Sequence, residues 1–246
     1  MRKDKKRYLY YTSVIFLILL SPCLPAGRFL ISLYSDMDLL IREIELKKRL
    51  EFPYKWGTKQ NNKMDRETNF VYQTFFFKDL LKKIEENFRY HPDHDAMQNY
   101  AMNRWFTFWS AMAVERIFCS VDFVVPALND KDRLVDFTIK GIRFDHKTTV
   151  FPNKFPGTVE SAKNNKRSLI EWLYVNQSQQ QRKHLMNRLF MVLYDENGEH
   201  WKLRSEVALL KNKIMEYLTG FNEVKLERFV FEKSGITLSD LIWVEK

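Results

Sequence analysis

Between Arg133 and Thr149 apolar and polar residues alternate with a period of two, in two runs that meet at Lys140-Gly141. That period belongs to a half-buried strand, and the Lys-Gly pair reads as a two-residue hairpin loop. With such a loop Ile139 faces Ile142, Phe137 faces Phe144, and Asp136 lies directly opposite Asp145. Val135, Phe137, Ile139, Ile142 and Phe144 then share an apolar face, while Asp136, Asp145 and Lys147 share the other. Like charges placed opposite one another destabilise a hairpin, so two facing carboxylates call for a cation. Lys147 supplies one positive charge, and a divalent metal could supply more. The ring of His146 points to the apolar side in this register, leaving its backbone carbonyl as its contact with a metal. A one-residue slip would reverse these faces, and Lys is not the favoured residue before Gly in such a loop. The same alternation also describes a surface hairpin in which Asp145, Lys147 and Arg143 form exposed ion pairs.

Around the hairpin the period changes repeatedly. Phe70, Tyr72, Phe75, Phe76, Leu80, Leu81 and Ile84 predict one helix from Asp65 to Phe88, with Lys82, Lys83, Glu85 and Glu86 opposite. A turn at His91–Asp95 follows, where Asp93 or Asp95 can cap a second helix from Ala96 to Phe118. His91 and His94 have no third ligand nearby and read as turn residues. The second helix carries a packing stripe, Met97, Tyr100, Trp105, Phe108, Trp109, Met112 and Ile117, with Glu115 near its end. Val121, Phe123 and Val125 alternate with Ser120, Asp122 and Val124 in a predicted first strand that Pro126 ends. After the hairpin come a third helix, Ser161 to His184, and an apolar strand, Leu189 to Tyr194. The tail reads as a short strand around Trp201, a helix from Ser205 to Leu218, a strand from Val224 to Phe231 and a segment ending at Val244. This order predicts an α/β fold, bordering on α+β, with a mixed central sheet flanked by helices.

Composition narrows the class. With 246 residues and 45% apolar side chains the chain can bury a real core, and two cysteines are too few for a disulfide or zinc scaffold. The formal charge of +9 points to an anionic partner. Residues 1–36 stand apart: Arg2, Lys3, Lys5, Lys6 and Arg7 precede an apolar run, Tyr8–Leu20, that resembles a secretory leader and is short for a membrane span. They read either as a leader or as the product of an upstream start, with Met37 opening an alternative beginning. The expected organisation is 1–36 leader-like, 37–95 helical, 96–194 a central core and 195–246 an α/β extension of the same domain. No stable membrane span is expected, and the expected location is cytoplasmic unless residues 1–26 act as a signal peptide.

Glu115 at a helix end, Asp136 in a middle strand, Asp145-His146-Lys147 in the next, a helix rich in bases and amides, then an apolar strand: from Ala96 to Tyr194 this resembles the PD-(D/E)XK nuclease superfamily, the restriction-endonuclease-like fold. The resemblance implies that Asp136 and Asp145 bind the catalytic metal, with Glu115 as a further ligand, and that Lys147 assists the attacking water. Carboxylates with the His146 carbonyl suit Mg²⁺ or Mn²⁺, which lowers the pKa of a bound water for phosphodiester hydrolysis. Two departures stand out, Val135 in place of the usual proline and Asp145 in place of glutamate. Lys163, Lys166, Arg167 and Arg182 on the third helix would hold phosphates, and Gln177 and Gln181 would lie near the metal or the bases. The reading is a metal-dependent nuclease of DNA in restriction, phage defence or repair, with RNA as an open alternative and a homodimer compatible. Two other classes remain open: a noncatalytic nucleic-acid-binding protein of the same fold, and an exported α/β protein of unrelated function.

Overall fold

Trp and Thr side chains decide where the chain stops being helical ahead of the sheet. The computed structural model describes residues 25–56, 62–127, 135–176, 186–231 and 235–246. Two units divide the chain, Met1–Ile41 and Arg42–Lys246; helix α1 (Pro25–Lys47) begins in the first and ends in the second. The single helix expected over Asp65–Phe88 is instead α2 (Asn62–Glu67), a 3₁₀ turn (Asn69–Gln73) and α3 (Phe77–Phe88). Thr68 and Thr74 turn their hydroxyls onto the carbonyls of Met64 and Phe70, both at 2.7 Å. The carbonyls of Val71 and Thr74 accept from the indoles of Trp109 and Trp105, so the backbone groups that would continue the helix are taken. Those two tryptophans belong to α4 (His94–Phe118). Asp93 occupies its N-cap without a side-chain capping bond; the Asp93 N–H donates to Nδ1 of His91 at 3.0 Å.

The sheet has six strands: β1 (Val124–Pro126), β2 (Phe137–Ile139), β3 (Ile142–Val150), β4 (Arg188–Tyr194), β5 (Glu227–Phe231) and β6 (Gly235–Glu245). Their spatial order is β1-β2-β3-β4-β6-β5, with β3, β4 and β6 parallel and the other pairings antiparallel. The fold is therefore mixed α/β. The hairpin pairs Phe137 with Phe144 and Ile139 with Ile142. Lys140 (φ +47°) and Gly141 (φ +88°) both adopt the left-handed conformation of a type I′ loop. A lysine there costs roughly 1–2 kcal/mol, offset by its Nζ lying 5.2 Å from the Phe123 ring and 3.4 Å from the Phe221 carbonyl.

In β1 it is Val124, paired with Ile139, that is buried, while Phe123 and Val125 are exposed, because the edge strand takes its facing from β2. Two further expectations are corrected. The third helix breaks at Asn165 into α5 (Val159–Asn164) and α6 (Lys166–Asn176); Oδ1 of Asn165 caps the second piece by accepting from the Ser168 N–H. Trp201 lies in a 3₁₀ turn (His200–Ser205) and not in a strand, its ring stacked on Tyr54 at 4.4 Å.

One sheet face packs on α4 and the region of α7 (Val207–Thr219), where Phe118 stacks on Phe137 at 4.5 Å and Phe144 meets Phe221 edge-on. The other packs on α5 and α6, where Tyr174 meets Phe190 at 5.4 Å. Leu189 to Leu193 of β4 are wholly buried, as expected of a central parallel strand covered on both faces. Among the described residues no helix is long and apolar enough to cross a membrane.

Candidate functional site

Along β3 successive side chains alternate between the two sheet faces. Phe144 and His146 face α4, and the imidazole lies 5.9 Å from the ring of Phe118 and 6.3 Å from that of Phe137. Asp145 and Lys147 take the other face. Asp136 sits just before β2, its N–H donating to the Phe144 carbonyl at 2.9 Å and its own carbonyl accepting from Ala127 at 2.9 Å. Its carboxylate bends back, and Oδ2 accepts from the His146 backbone N–H at 2.6 Å. Glu115 reaches the same place from the last turn of α4. One ligand atom each from Glu115, Asp136 and His146 lies within 4.8 Å of the other two.

Three of the four residues expected around a metal form this trio. Asp145 is outside it: Oδ2 accepts from Nε of Arg188 at 2.6 Å, a pair fixed by the parallel register that sets Asp145 beside Arg188. His146 enters through its ring, whereas the expectation was its backbone carbonyl. Two local causes produce the difference. Asp136 lies outside the regular strand and is free to turn toward the His146 amide, and the cation nearest Asp145 comes from β4.

Burial and neighbouring charges shift the titration of the groups gathered here. Burial, then the charges of Asp136 and Asp145, push the Glu115 carboxyl up to about 7. Burial, then Arg204, lower His146 to about 3, so its ring is neutral at physiological pH, the form that binds metal. Burial, then Arg188, lower the proton affinity of Lys147, with Arg204 adding to the effect and Asp145 opposing it. Cys119 is raised to about 11 by burial, then by Glu115 and Asp136. Two carboxylates and a neutral imidazole form a donor set suited to a divalent ion. The negative charge that raises Glu115 is what such an ion would neutralise.

Three of the four bases expected to hold phosphates are committed within the fold. Lys163 pairs with Glu245 at 2.6 Å, Lys166 with Asp240 at 2.8 Å, and Arg167 with Glu227 at 3.3 Å while its guanidinium lies 4.4 Å from the centre of the Phe229 ring. Gln177, Gln181 and Arg182 lie outside the described residues. A separate cleft of about 430 Å³ opens near the C-terminal end of β3, lined among others by Tyr54, Trp56, Phe151, Trp172 and Trp201; no residue of the trio lines it.

Sequence reasoning passed over Arg188, Arg204 and Thr148. Arg188 opens an apolar run, and a charge at the mouth of a buried strand is a usable signal once its neighbour is known. Arg204 donates to the Thr148 carbonyl at 2.9 Å across a long sequence separation that no local pattern encodes. No protein-family model, curated protein or solved structure matches this chain.

Proposed function

We propose that this protein is a metal-dependent nuclease that hydrolyses phosphodiester bonds of DNA, built on a restriction-endonuclease-like core. The observation that carries the reading is the meeting of Glu115, Asp136 and His146 beside the Asp145-His146-Lys147 strand. The element order from α4 through β1, β2, β3, α5 and α6 to β4 supports the same reading. Glu115 and Asp136 would hold the divalent cation, which when bound lowers the pKa of a water and shields the charge of a phosphate. Arg188 orients Asp145 through the 2.6 Å bond to Oδ2. Lys147, its proton affinity lowered by burial and by Arg188, lies with Asp145 on the face of β3 opposite the His146 ring, and in this proposal it acts on the water from the Asp145 side. In its charged form it stabilises the oxyanion that develops at the leaving group. DNA as the substrate, restriction, defence or repair as the setting and a cytoplasmic location belong to this proposal.

A noncatalytic nucleic-acid-binding protein is the second reading, favoured by the commitment of Asp145 to Arg188. Purified full chain, with Asp136→Asn and Lys147→Met beside it, is incubated with circular DNA, linear DNA and RNA in Mg²⁺, Mn²⁺ or EDTA. Cleavage that needs metal and falls at least about 100-fold in each variant is the expected result. Binding of nucleic acid without cleavage under any metal would replace the proposal with the second reading.

A further inference from the structure

We propose that His146 is itself a ligand of the divalent cation, through Nδ1 and beside Glu115 and Asp136, so that the centre takes Mn²⁺ in preference to Mg²⁺. The inference rests on the nuclease reading only for the presence of a cation at this place.

Donors about 2.1 Å from one ion in octahedral geometry stand roughly 3 to 4.2 Å apart. The three ligand atoms all lie within 4.8 Å of one another, so a bound ion would draw them together toward these separations. The imidazole is already held for the task. The stacked rings of Phe118 and Phe137 lie against it, and its Nε2 lies 3.0 Å from Oγ1 of Thr148. The same hydroxyl reaches Sδ of Met191 at 4.0 Å. A hydroxyl has one proton; directed at the sulfur, it leaves Oγ1 to accept from Nε2–H, and Nδ1 then carries the lone pair. Nδ1 is the ring nitrogen nearer the backbone, and the backbone N–H of this residue is the group that binds Asp136 Oδ2. The Asp136 carboxylate is thereby brought to the ligating end of the ring. A histidine whose second nitrogen is bonded to an outer partner is the usual arrangement at metal centres.

The ligand set decides the ion. Mg²⁺ is bound through oxygen and keeps its waters, so an imidazole adds little to its affinity. Transition ions accept nitrogen, and Mn²⁺ combines that with a preference for carboxylates. Asp145 could turn the site toward an all-oxygen set, but its Oδ2 is bonded to Arg188.

The test uses the full chain stripped of metal by chelation and titrated with Mn²⁺, with free ion followed by electron paramagnetic resonance. Pulsed measurement on the loaded protein then reads ¹⁴N coupling from directly bound imidazole. One Mn²⁺ with ¹⁴N coupling is expected, displaced by Mg²⁺ only at a large excess. Thr148→Val should weaken Mn²⁺ about 10-fold by releasing the ring, and His146→Asn should abolish the coupling and weaken Mn²⁺ at least as much. The wild-type spectrum decides the matter even if His146→Asn fails to fold. Bound Mn²⁺ without ¹⁴N coupling, weakened by Asp145→Asn, would overturn this ligand set in favour of oxygen donors alone and leave the nuclease reading standing. No bound Mn²⁺, together with no metal-dependent cleavage, would remove both.

Discussion

Glu115 and His146 are neighbours whose burial acts in opposite directions on stability. The Glu115 carboxyl, raised to about 7 by burial and then by Asp136 and Asp145, holds a proton in the folded chain that the unfolded chain releases near its ordinary value. Its contribution is therefore full at low pH and is lost as pH rises through 7. His146, lowered to about 3 by burial and then by Arg204, contributes stability above its ordinary value that disappears as pH falls toward 3. Between roughly pH 4.5 and 6.5 the two trends oppose each other, so the wild-type pH profile cannot separate them. Glu115→Gln can. In the absence of divalent metal this variant should be more stable than wild type at pH 8, by on the order of 2 kcal/mol, with no advantage at pH 4.5. Urea unfolding at both values checks it, and an equal effect at both would refute the charge argument.

The pairing of β3 with β4 is clasped by one ion pair at its opening. Arg188 is buried, its guanidinium 5.5 Å from the Tyr174 ring and 5.7 Å from that of Phe190, and Asp145 is its carboxylate partner. Removing Arg188 leaves the partly buried Asp145 carboxylate without its hydrogen-bonded partner, with the Lys147 charge as its remaining electrostatic counterpart here. Arg188→Met should cost about 3 kcal/mol, whereas Arg188→Met with Asp145→Asn should cost less than the two single losses summed. Chemical denaturation of the four proteins measures this coupling; simple additivity would mean that Arg188 acts by packing alone. The same pairing shows what could be read in advance. The β2–β3 register is legible because apolar residues at every second position admit one facing and the loop has two residues. The neighbour of β3 on its other side is not, since parallel strands meet through a long crossover and carry no local signal. Asp145 and Lys147 could thus be singled out from the chain, while the arginine that holds Asp145 could not. Period-two alternation assigns a face only within a regular strand; Asp136 precedes β2, and its carboxylate turns to the His146 amide. Helix continuity failed similarly at Thr68 and Thr74, where indoles from a distant helix take the carbonyls.

At the scale of the whole molecule, the stretch that carries the nuclease resemblance holds four of the six strands and leaves β6 and β5 to the residues that follow it. β4 is flanked by β3 on one side and by β6 on the other, in a register that runs from Arg188 beside Ser239 to Tyr194 beside Glu245. β6 comes from the last residues of the chain, and its Ser239, Leu241, Ile242 and Val244 are buried. The bases of α5 and α6 are tied to the same region, Lys163 to Glu245, Lys166 to Asp240 and Arg167 to Glu227. A fragment of residues 96–194 would expose one edge of β4, bare part of the apolar cluster that joins α6 to Phe229 and Leu241, and strand three bases without their carboxylates. Backbone hydrogen bonds lost along a whole strand edge, with several large side chains returned to water, exceed the roughly 5–15 kcal/mol by which a domain is stable. That fragment should therefore be unfolded or aggregated, while Arg42–Lys246 should give a cooperative unfolding transition. Circular dichroism and amide proton dispersion of the two distinguish the outcomes. A folded 96–194 fragment would show that β6 and the C-terminal helix are an accessory layer; an unfolded one makes residues 195–246 part of the scaffold that brings Arg188 to Asp145, and substitutions in β6 should then disturb the site from a distance.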